Sequence, residues 1–274
     1  MNKKDDPLTQ VRCFLIDMDG TFYLGEKLLD GALEFIDLLH RQGCDYLFLT
    51  NNSSKDSHQY VEKLARLGLP VSRDKILTSG EATAMHVQHQ KSGARVYVVG
   101  TEALENELRA RGLVLTDERP DFAVLGFDTT LTYDKLWKLC DLVRAGVDYI
   151  ATHPDYNCPT ETGFMPDIGA IMAFIQASTG RHPDVVIGKP NRQIIDMLGH
   201  KLGISVEQMA MVGDRLYTDI ALRTSAGIPA VLVLSGETRL EDLADSPFQP
   251  SAGFRHLGEL GAFLLEDPGR YQPH

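Results

Sequence analysis

The 274-residue chain is poor in several things, and each shortage excludes something. It has four cysteines, Cys13, Cys44, Cys140 and Cys158, with no C-x-x-C among them, which removes a zinc cluster. Cys13 and Cys44 stand in or beside apolar runs, where a buried free thiol is the expectation. No apolar run is long enough to cross a bilayer. The segment Met1–Pro7 is polar and lacks the apolar stretch of a secretory signal. The reading is a cytoplasmic protein with reduced cysteines and no membrane partner. Positive charge is scarce: 27 Lys and Arg stand against 38 Asp and Glu, a net charge of −11. A general nucleic-acid binder needs a basic face and is excluded. A small phosphorylated metabolite is not, because a bound Mg²⁺ and one or two lysines reverse the field locally. Neither G-x-x-x-x-G-K-[ST] nor G-x-S-x-G occurs, so the P-loop and the hydrolase elbow fall away. There is no internal repeat and no low-complexity segment.

What is present is an ordinary globular composition, 43% apolar and 24% charged, in a chain long enough for one large domain or two ordinary ones. The stretch that organises it is Arg12–Thr21. Cys13 to Ile16 are apolar, Asp17 and Asp19 follow one residue apart, and Gly20-Thr21 closes the run. A short apolar run ended by a turn signal reads as a buried strand of a parallel sheet. Ligands of such sheets sit beyond the carboxyl ends of the strands. Two acids there suit a nucleophile plus an acid/base, or a cation site. The competing reading is a simple strand-ending turn, since Asp and Gly form turns.

The rest of the chain alternates. Phe22–Lys27 predicts a hairpin or flap. Asp30 is a candidate N-cap for a helix over Gly31–Gln42, stopped by Gly43. A strand over Asp45–Leu49 ends in Thr50-Asn51-Asn52-Ser53-Ser54. A helix over Ser57–Leu67, a strand over Lys75–Leu77 and a helix over Ala82–Gln90 follow. That order is the signature of a doubly wound parallel sheet. Lys91-Ser92-Gly93 reads as a joint, after which alternation restarts. Strands are expected over Arg95–Val99, Phe122–Leu125 and Val147–Ala151, and helices over Leu104–Arg111, Leu131–Ala145 and Ile168–Ser178. A loop, Thr152–Pro166, carries three prolines. Further strands are expected over Val185–Ile187, Gln208–Val212 and Ile228–Leu234. Helices are expected over Arg192–Leu202 and from Tyr217 to Gly227. The tail after Glu237 reads as short helical pieces. The fold class is α/β, a Rossmann-like doubly wound sheet formed by residues 1–91 and 183–274, with a second α/β domain inserted over 92–182.

Four apolar strands thus end in chemistry: Asp17 and Asp19, then Thr50 and Asn51, then Lys189, then Gly213-Asp214 with Asp219 five residues on. If the four are neighbours in one sheet, these groups converge at its carboxyl edge. A carboxylate can attack phosphorus, a second can protonate the leaving oxygen and then deprotonate water, and several can hold Mg²⁺. Thr, Asn and Lys suit the oxygens of a transferring group. Each has an ordinary alternative. Lys189 can be a solvated loop lysine, Thr50–Asn52 can cap the next helix, and Asp219 can be a helix-face carboxylate.

These residues resemble the four motifs of the haloacid dehalogenase superfamily phosphatases. Asp17-Met18-Asp19-Gly20-Thr21 looks like the first, Thr50 the second, Lys189 the third and Gly213–Asp219 the fourth, in the family's order. Leu49–Ser53, Val99-Gly100, Gly188-Lys189-Pro190 and Leu234-Ser235-Gly236 further resemble the NagD/p-nitrophenyl phosphatase subgroup, which carries an α/β cap between the second and third motifs. The resemblance implies an aspartyl-phosphate on Asp17, with Asp19 as acid/base. It implies that Thr50 and Lys189 orient the phosphoryl group with help from Asn51. It implies Mg²⁺ held by Asp17, the backbone carbonyl of Asp19, and Asp214, with Asp219 in support. An acid at position 19 speaks for a phosphatase over the dehalogenases, and Thr21 for a phosphatase over the transport ATPases. Dimerisation through the cap is a further implication. Response-regulator receivers share acids, Thr and Lys but place the acceptor on a middle strand in a chain half as long. A non-catalytic phosphometabolite sensor with the same site stays open.

The subgroup's substrates include nucleoside monophosphates, sugar phosphates, pyridoxal phosphate and phosphoglycolate, the first two being the expectation here. Thr152–Gly169 is the candidate specificity loop, polar at Asp155, Asn157, Thr160 and Glu161. His153 in it is expected to be able to touch substrate. His86 and His89 read as surface histidines, and Trp137 as core of the inserted domain among Leu136, Leu139 and Leu142.

Overall fold

The computed structural model describes residues 8–160 and 163–266. Contacts divide the chain into two compact units: Met1–Leu49, Lys63–Ile76 and Lys189–His274 form one, and Thr50–Glu62 with Leu77–Gly188 form the other. The first half of the chain runs β1 (Cys13–Ile16), β2 (Tyr23–Leu24), β3 (Lys27–Leu28), α1 (Ala32–Arg41), β4 (Asp45–Thr50), α2 (Ser57–Arg66), β5 (Ile76–Thr78) and α3 (Ser79–Gln90). It continues through β6 (Arg95–Val99), α4 (Glu102–Ala110), β7 (Val114–Leu115), β8 (Phe122–Leu125), α5 (Tyr133–Arg144) and β9 (Asp148–Ala151). Then come β10 (Asn157–Thr160), β11 (Gly163–Pro166), α6 (Ile168–Thr179), β12 (Val185–Val186) and α7 (Arg192–Leu202). The last stretch is β13 (Met209–Gly213), a π-helical turn (Leu216–Ile220), α8 (Leu222–Ala226), β14 (Ala230–Val233), β15 (Ala252–Phe254) and α9 (Leu257–Leu265).

The six-stranded sheet has the order β15-β14-β13-β1-β4-β5. β1 lies at its middle, parallel to β4 on one side and to β13 on the other. All four residues of β1 are buried, as a strand covered on both faces requires. Phe14 packs edge-on against Phe35 of α1, and Phe22 against Phe48 at 4.8 Å. Cys13 and Cys44 are buried free thiols, and burial pushes them up to about 12 and about 11. The cap of α1 is Gly31 rather than Asp30, at φ 76° and without a side-chain cap bond. The cause is close packing: a Cβ on Gly31 would stand 2.2 Å from the Gly258 Cα at the start of α9. The expected helix from Tyr217 is a π-helical turn followed by short α8, because Asp219 folds back to accept the Arg215 N–H at 3.1 Å. β15 has no counterpart in the sequence reading.

The five-stranded sheet, β12-β9-β8-β6-β7, is parallel at each pairing. Tyr97, Leu125 and Tyr149 from its strands form a core with Leu139 and Val143 of α5 and Ile168 and Ile175 of α6. Val185–Val186, expected in the first sheet, pairs instead with Ile150–Ala151 of β9. Residues 50–62 and α3 also cluster with this unit. Glu107 of α4 is the fastener: it accepts the Thr78 hydroxyl at 2.8 Å and the Ser57 N–H at 3.2 Å.

Three expectations are corrected in this unit. Trp137 is 61% exposed, because the buried stripe of α5 is Leu139, Cys140 and Val143, and Trp137 falls at the outer margin of that stripe, on the surface it shares with Tyr133 and Arg144. Thr152–Pro166 is not all loop: Asn157 pairs with Pro166 and Thr160 with Gly163 in an antiparallel ribbon, where an unshared strand tolerates proline. Glu161 lies outside the described residues. His86 is half-buried, and burial lowers its pKa, while His89 is exposed as expected. Among the described residues no helix is long and apolar enough to cross a membrane.

Glu107 makes stability depend on pH. Burial raises its carboxyl from 4.5 to about 7 against the lowering effect of Thr78 and Ser57. A raised folded-state pKa stabilises fully below the unfolded value and is lost as pH climbs through about 7. Glu107→Gln is therefore expected to gain on the natural chain by on the order of 2 kcal/mol between pH 5 and pH 8, read from urea unfolding midpoints at both pH values. Parallel pH dependence in the two proteins would contradict the assignment.

Candidate active site

Asp17 is the first residue beyond β1, and its N–H still bonds the Val212 carbonyl of β13 at 2.9 Å. The ladder thus fixes its backbone before the chain turns. Met18 and Gly20 then close a tight loop, with the Gly20 N–H on the Tyr23 carbonyl at 2.8 Å. Gly20 has φ +90°, a conformation that only glycine adopts without strain. Asp19 is half-buried inside this loop and bridges to Tyr23.

Lys189 is 2% exposed, an extreme burial for an ammonium group. Its Nζ sits 2.5 Å from Asp17 Oδ1, 2.7 Å from Asp219 Oδ1 and donates to the Leu49 carbonyl at 3.0 Å. Burial alone would lower its pKa, but Asp17 and Asp219 together raise it above the ordinary value, so it stays charged. It does not come from a strand of this sheet as expected. It follows β12, which belongs to the other sheet, by way of Gly188.

Asp214 follows β13. It takes the Thr21 hydroxyl at 3.2 Å on one oxygen and the Glu237 N–H at 2.6 Å on the other. Two glycines cradle it: a Cβ at Gly20 would stand 2.5 Å, and at Gly236 2.0 Å, from its Oδ2. The Ser235 hydroxyl donates to the Gly20 carbonyl at 2.8 Å and ties these loops together. One oxygen each of Asp17, Asp214 and Asp219 falls within 4.8 Å of the others. Burial, then the neighbouring carboxylates, pushes Asp214 up to about 7 and Asp17 well above its ordinary range despite Lys189. Three close buried carboxylates against one ammonium leave uncompensated negative charge. All donors are hard oxygens, the set that suits Mg²⁺. The donor set and the charge both fit that ion.

Asp17, Asp214, Asp219 and Lys189 are thus brought together, with Asp19 two residues from the first. Thr50 closes β4 at the same edge of the sheet, buried, with its hydroxyl accepting the Asn52 N–H at 3.1 Å. The Asn51 amide donates to Asp155 Oδ1 at 2.9 Å inside the second unit. His153 is fully buried, which corrects its reading as a substrate-touching residue. Its two nitrogens face different carboxylates, Asp155 at 3.8 Å and Asp167 at 3.6 Å, the layout of a clamp at the start of α6. Tyr23 and Glu237 went unnoticed as site residues in the sequence. The apolar strand before Leu234-Ser235-Gly236 was the available signal for the second.

Residues 14–114 match the model of haloacid dehalogenase-like hydrolases, and residues 186–260 match that of HAD-hydrolase-like proteins. The chain belongs to the haloacid dehalogenase-like (HAD) hydrolases. It is 38% identical to an acid sugar phosphatase of Staphylococcus aureus (strain MRSA252), over 94% of this chain and 99% of that one. It is 37% identical to a 5′-nucleotidase of Bacillus subtilis (strain 168), over 90% and 96%. The solved 4-nitrophenylphosphatase of Thermotoga maritima superposes with a TM-score of 0.91 at 49% identity, covering 93% of this chain and 98% of that one. In this HAD hydrolase the carboxylate cradle depends on space that two glycines leave. Gly236→Ala is expected to weaken Mg²⁺ binding at least about tenfold, since overpacking a rigid site costs 1–3 kcal/mol. Titration calorimetry reads it; unchanged affinity in a folded variant would remove Asp214 from the ion site.

Proposed function

We propose that this chain is a Mg²⁺-dependent phosphatase of small phosphomonoesters that works through an aspartyl-phosphate. The observation that carries the reading is the buried Lys189 clamped between Asp17 and Asp219, with Asp214 alongside. Asp17 attacks phosphorus and forms a new O–P bond while the bond to the leaving oxygen breaks. Asp19 supplies the proton that the leaving oxygen takes up with its electron pair. Asp19 then accepts a proton from the water that attacks the phosphoaspartate, and Asp17 and inorganic phosphate are released. Lys189 holds Asp17 in place and offers positive charge to the transferring group. Thr50 offers it a hydroxyl, with Asn51 in support. Asp17, the Asp19 carbonyl and Asp214, with Asp219 in support, would hold Mg²⁺, which when bound would supply charge neutralisation and phosphate orientation.

The substrate is a nucleoside monophosphate or a sugar phosphate. The names of the two curated relatives support both. The β10–β11 ribbon supports a reading surface in the second unit, since Tyr156 and Phe164 stand 61% and 69% exposed on and beside it. Free thiols fit a cytoplasmic site of action. Phosphate release from a panel of phosphomonoesters, with Mg²⁺ and with EDTA, tests the reading. Asp17→Asn is expected to abolish release in a folded protein. The panel includes pyridoxal phosphate and phosphoglycolate, so that a narrower preference shows. Silence across it from folded protein would favour a phosphometabolite sensor. The exposed aromatic face of α5 and α6, Tyr133, Trp137 and Phe174, supports a homodimer through the second unit. Trp137→Glu is expected to halve the mass seen by sedimentation, and a natural chain that sediments as a monomer would end that proposal.

A further inference from the structure

Tyr23 is fully buried, yet it sits on a two-residue strand in the exposed hairpin next to the site. Its backbone is bolted to the Asp19 loop from both sides: its N–H bonds the Met18 carbonyl at 3.1 Å, and its carbonyl takes the Gly20 N–H at 2.8 Å. Its hydroxyl donates to Asp19 Oδ2 at 3.4 Å, at the long end of hydrogen bonding, as such contacts often stand before a substrate binds. The Nζ of Lys63, on α2, lies 3.6 Å from the centre of its ring. Lys63 is only 6% exposed, so this cation is held against the ring with little water to screen it. Ring packing alone would need only phenylalanine. The hydroxyl has an aspartate to act on.

We propose that Tyr23, backed by Lys63, is the positioning residue of Asp19. The proposal rests on the reading of Asp19 as the acid/base. A carboxyl on a loop has two equivalent oxygens and free torsions. A hydroxyl donating to Oδ2 leaves Oδ1 to carry the transferable proton and fixes its direction. The Lys63 charge over the ring polarises the phenol and strengthens it as a donor. In turnover the Asp19 Oδ1 proton passes to the leaving oxygen as its bond to phosphorus breaks, and the attacking water restores it. Tyr23 keeps its own proton throughout. A leaving group that departs as a stable anion needs that proton little, and an alkoxide needs it greatly.

The test compares kcat/KM, which reports the first phosphoryl transfer, for p-nitrophenyl phosphate and for the alkyl ester ribose 5-phosphate. Tyr23→Phe is expected to lose about tenfold more on the alkyl ester than on the aryl ester, about the net worth of one hydrogen bond. Lys63→Met is expected to shift the same ratio in the same direction by less, and Lys63→Arg to restore it. Equal losses on the two esters, or no loss on either, would overturn the proposal, because a merely structural role moves both alike. If Tyr23→Phe fails to fold, the Lys63 pair decides by the same ratio. Asp19→Asn is the reference: were it to show no preference between the esters, the acid/base reading would fail, and the positioning role with it. A reference that discriminates beside a Tyr23→Phe that does not would sink the positioning role alone.

Discussion

The site depends on one buried charge. Stripping water from the Lys189 ammonium costs several kcal/mol, and only close pairing offsets it. Asp17, Asp219 and the Leu49 carbonyl provide that pairing from three different places: the end of β1, the turn after β13 and the end of β4. The ammonium therefore acts as a strut. It cannot leave without exposing two buried carboxylates to each other, and they cannot shift without leaving it unpaired. The neighbouring strand ends are held in register by a charge as much as by the ladder hydrogen bonds between them.

The strut is not enough to balance the cluster. Asp17 and Asp214 are both pushed up, by burial first and by like charge second, and Lys189 lowers only part of this for Asp17. The proposed nucleophilic role requires Asp17 to be ionised, and three close carboxylates around one ammonium call for a further positive charge. A bound divalent cation inverts the local titration order and lets neighbouring carboxylates ionise together. Asp19 stands apart from this, half-buried and facing Tyr23. Two aspartates one residue apart thus occupy different surroundings, one against the Lys189 ammonium and the other against the Tyr23 hydroxyl.

Most of the candidate site was legible because its groups sit at strand ends, and strand ends are marked by a change from apolar to polar residues. Asp17, Thr50 and Asp214 are all found that way. Lys189 was found by the same signal for a wrong reason, since its strand lies in the other sheet. A two-residue apolar strand carries no label for the sheet it joins. Trp137 was misplaced because Leu136, Leu139 and Leu142 around it do all face the core, and a residue next to them in sequence can still lie at the exposed margin of the helix face. His153 was misread because proline-rich polar sequence looks solvated, whereas two aspartates and a helix start enclose it here. The ribbon beside it escaped because proline argues against strands, except where one edge has no partner.

The illegible parts share a cause. A reaction needs particular atoms, so its residues announce their chemistry wherever the backbone puts them. Selection among phosphate esters needs shape and apolar surface, which many residues can supply. Tyr156 and Phe164 look in the sequence like any aromatic residues, and only their exposure sets them apart. Tyr23 falls between the two cases. Its ring is ordinary core material, and its hydroxyl matters only because a four-residue loop with a left-handed glycine brings it back onto Asp19. A residue that acts through another leaves its trace in the geometry of the loop, so it can be found only after the fold is known.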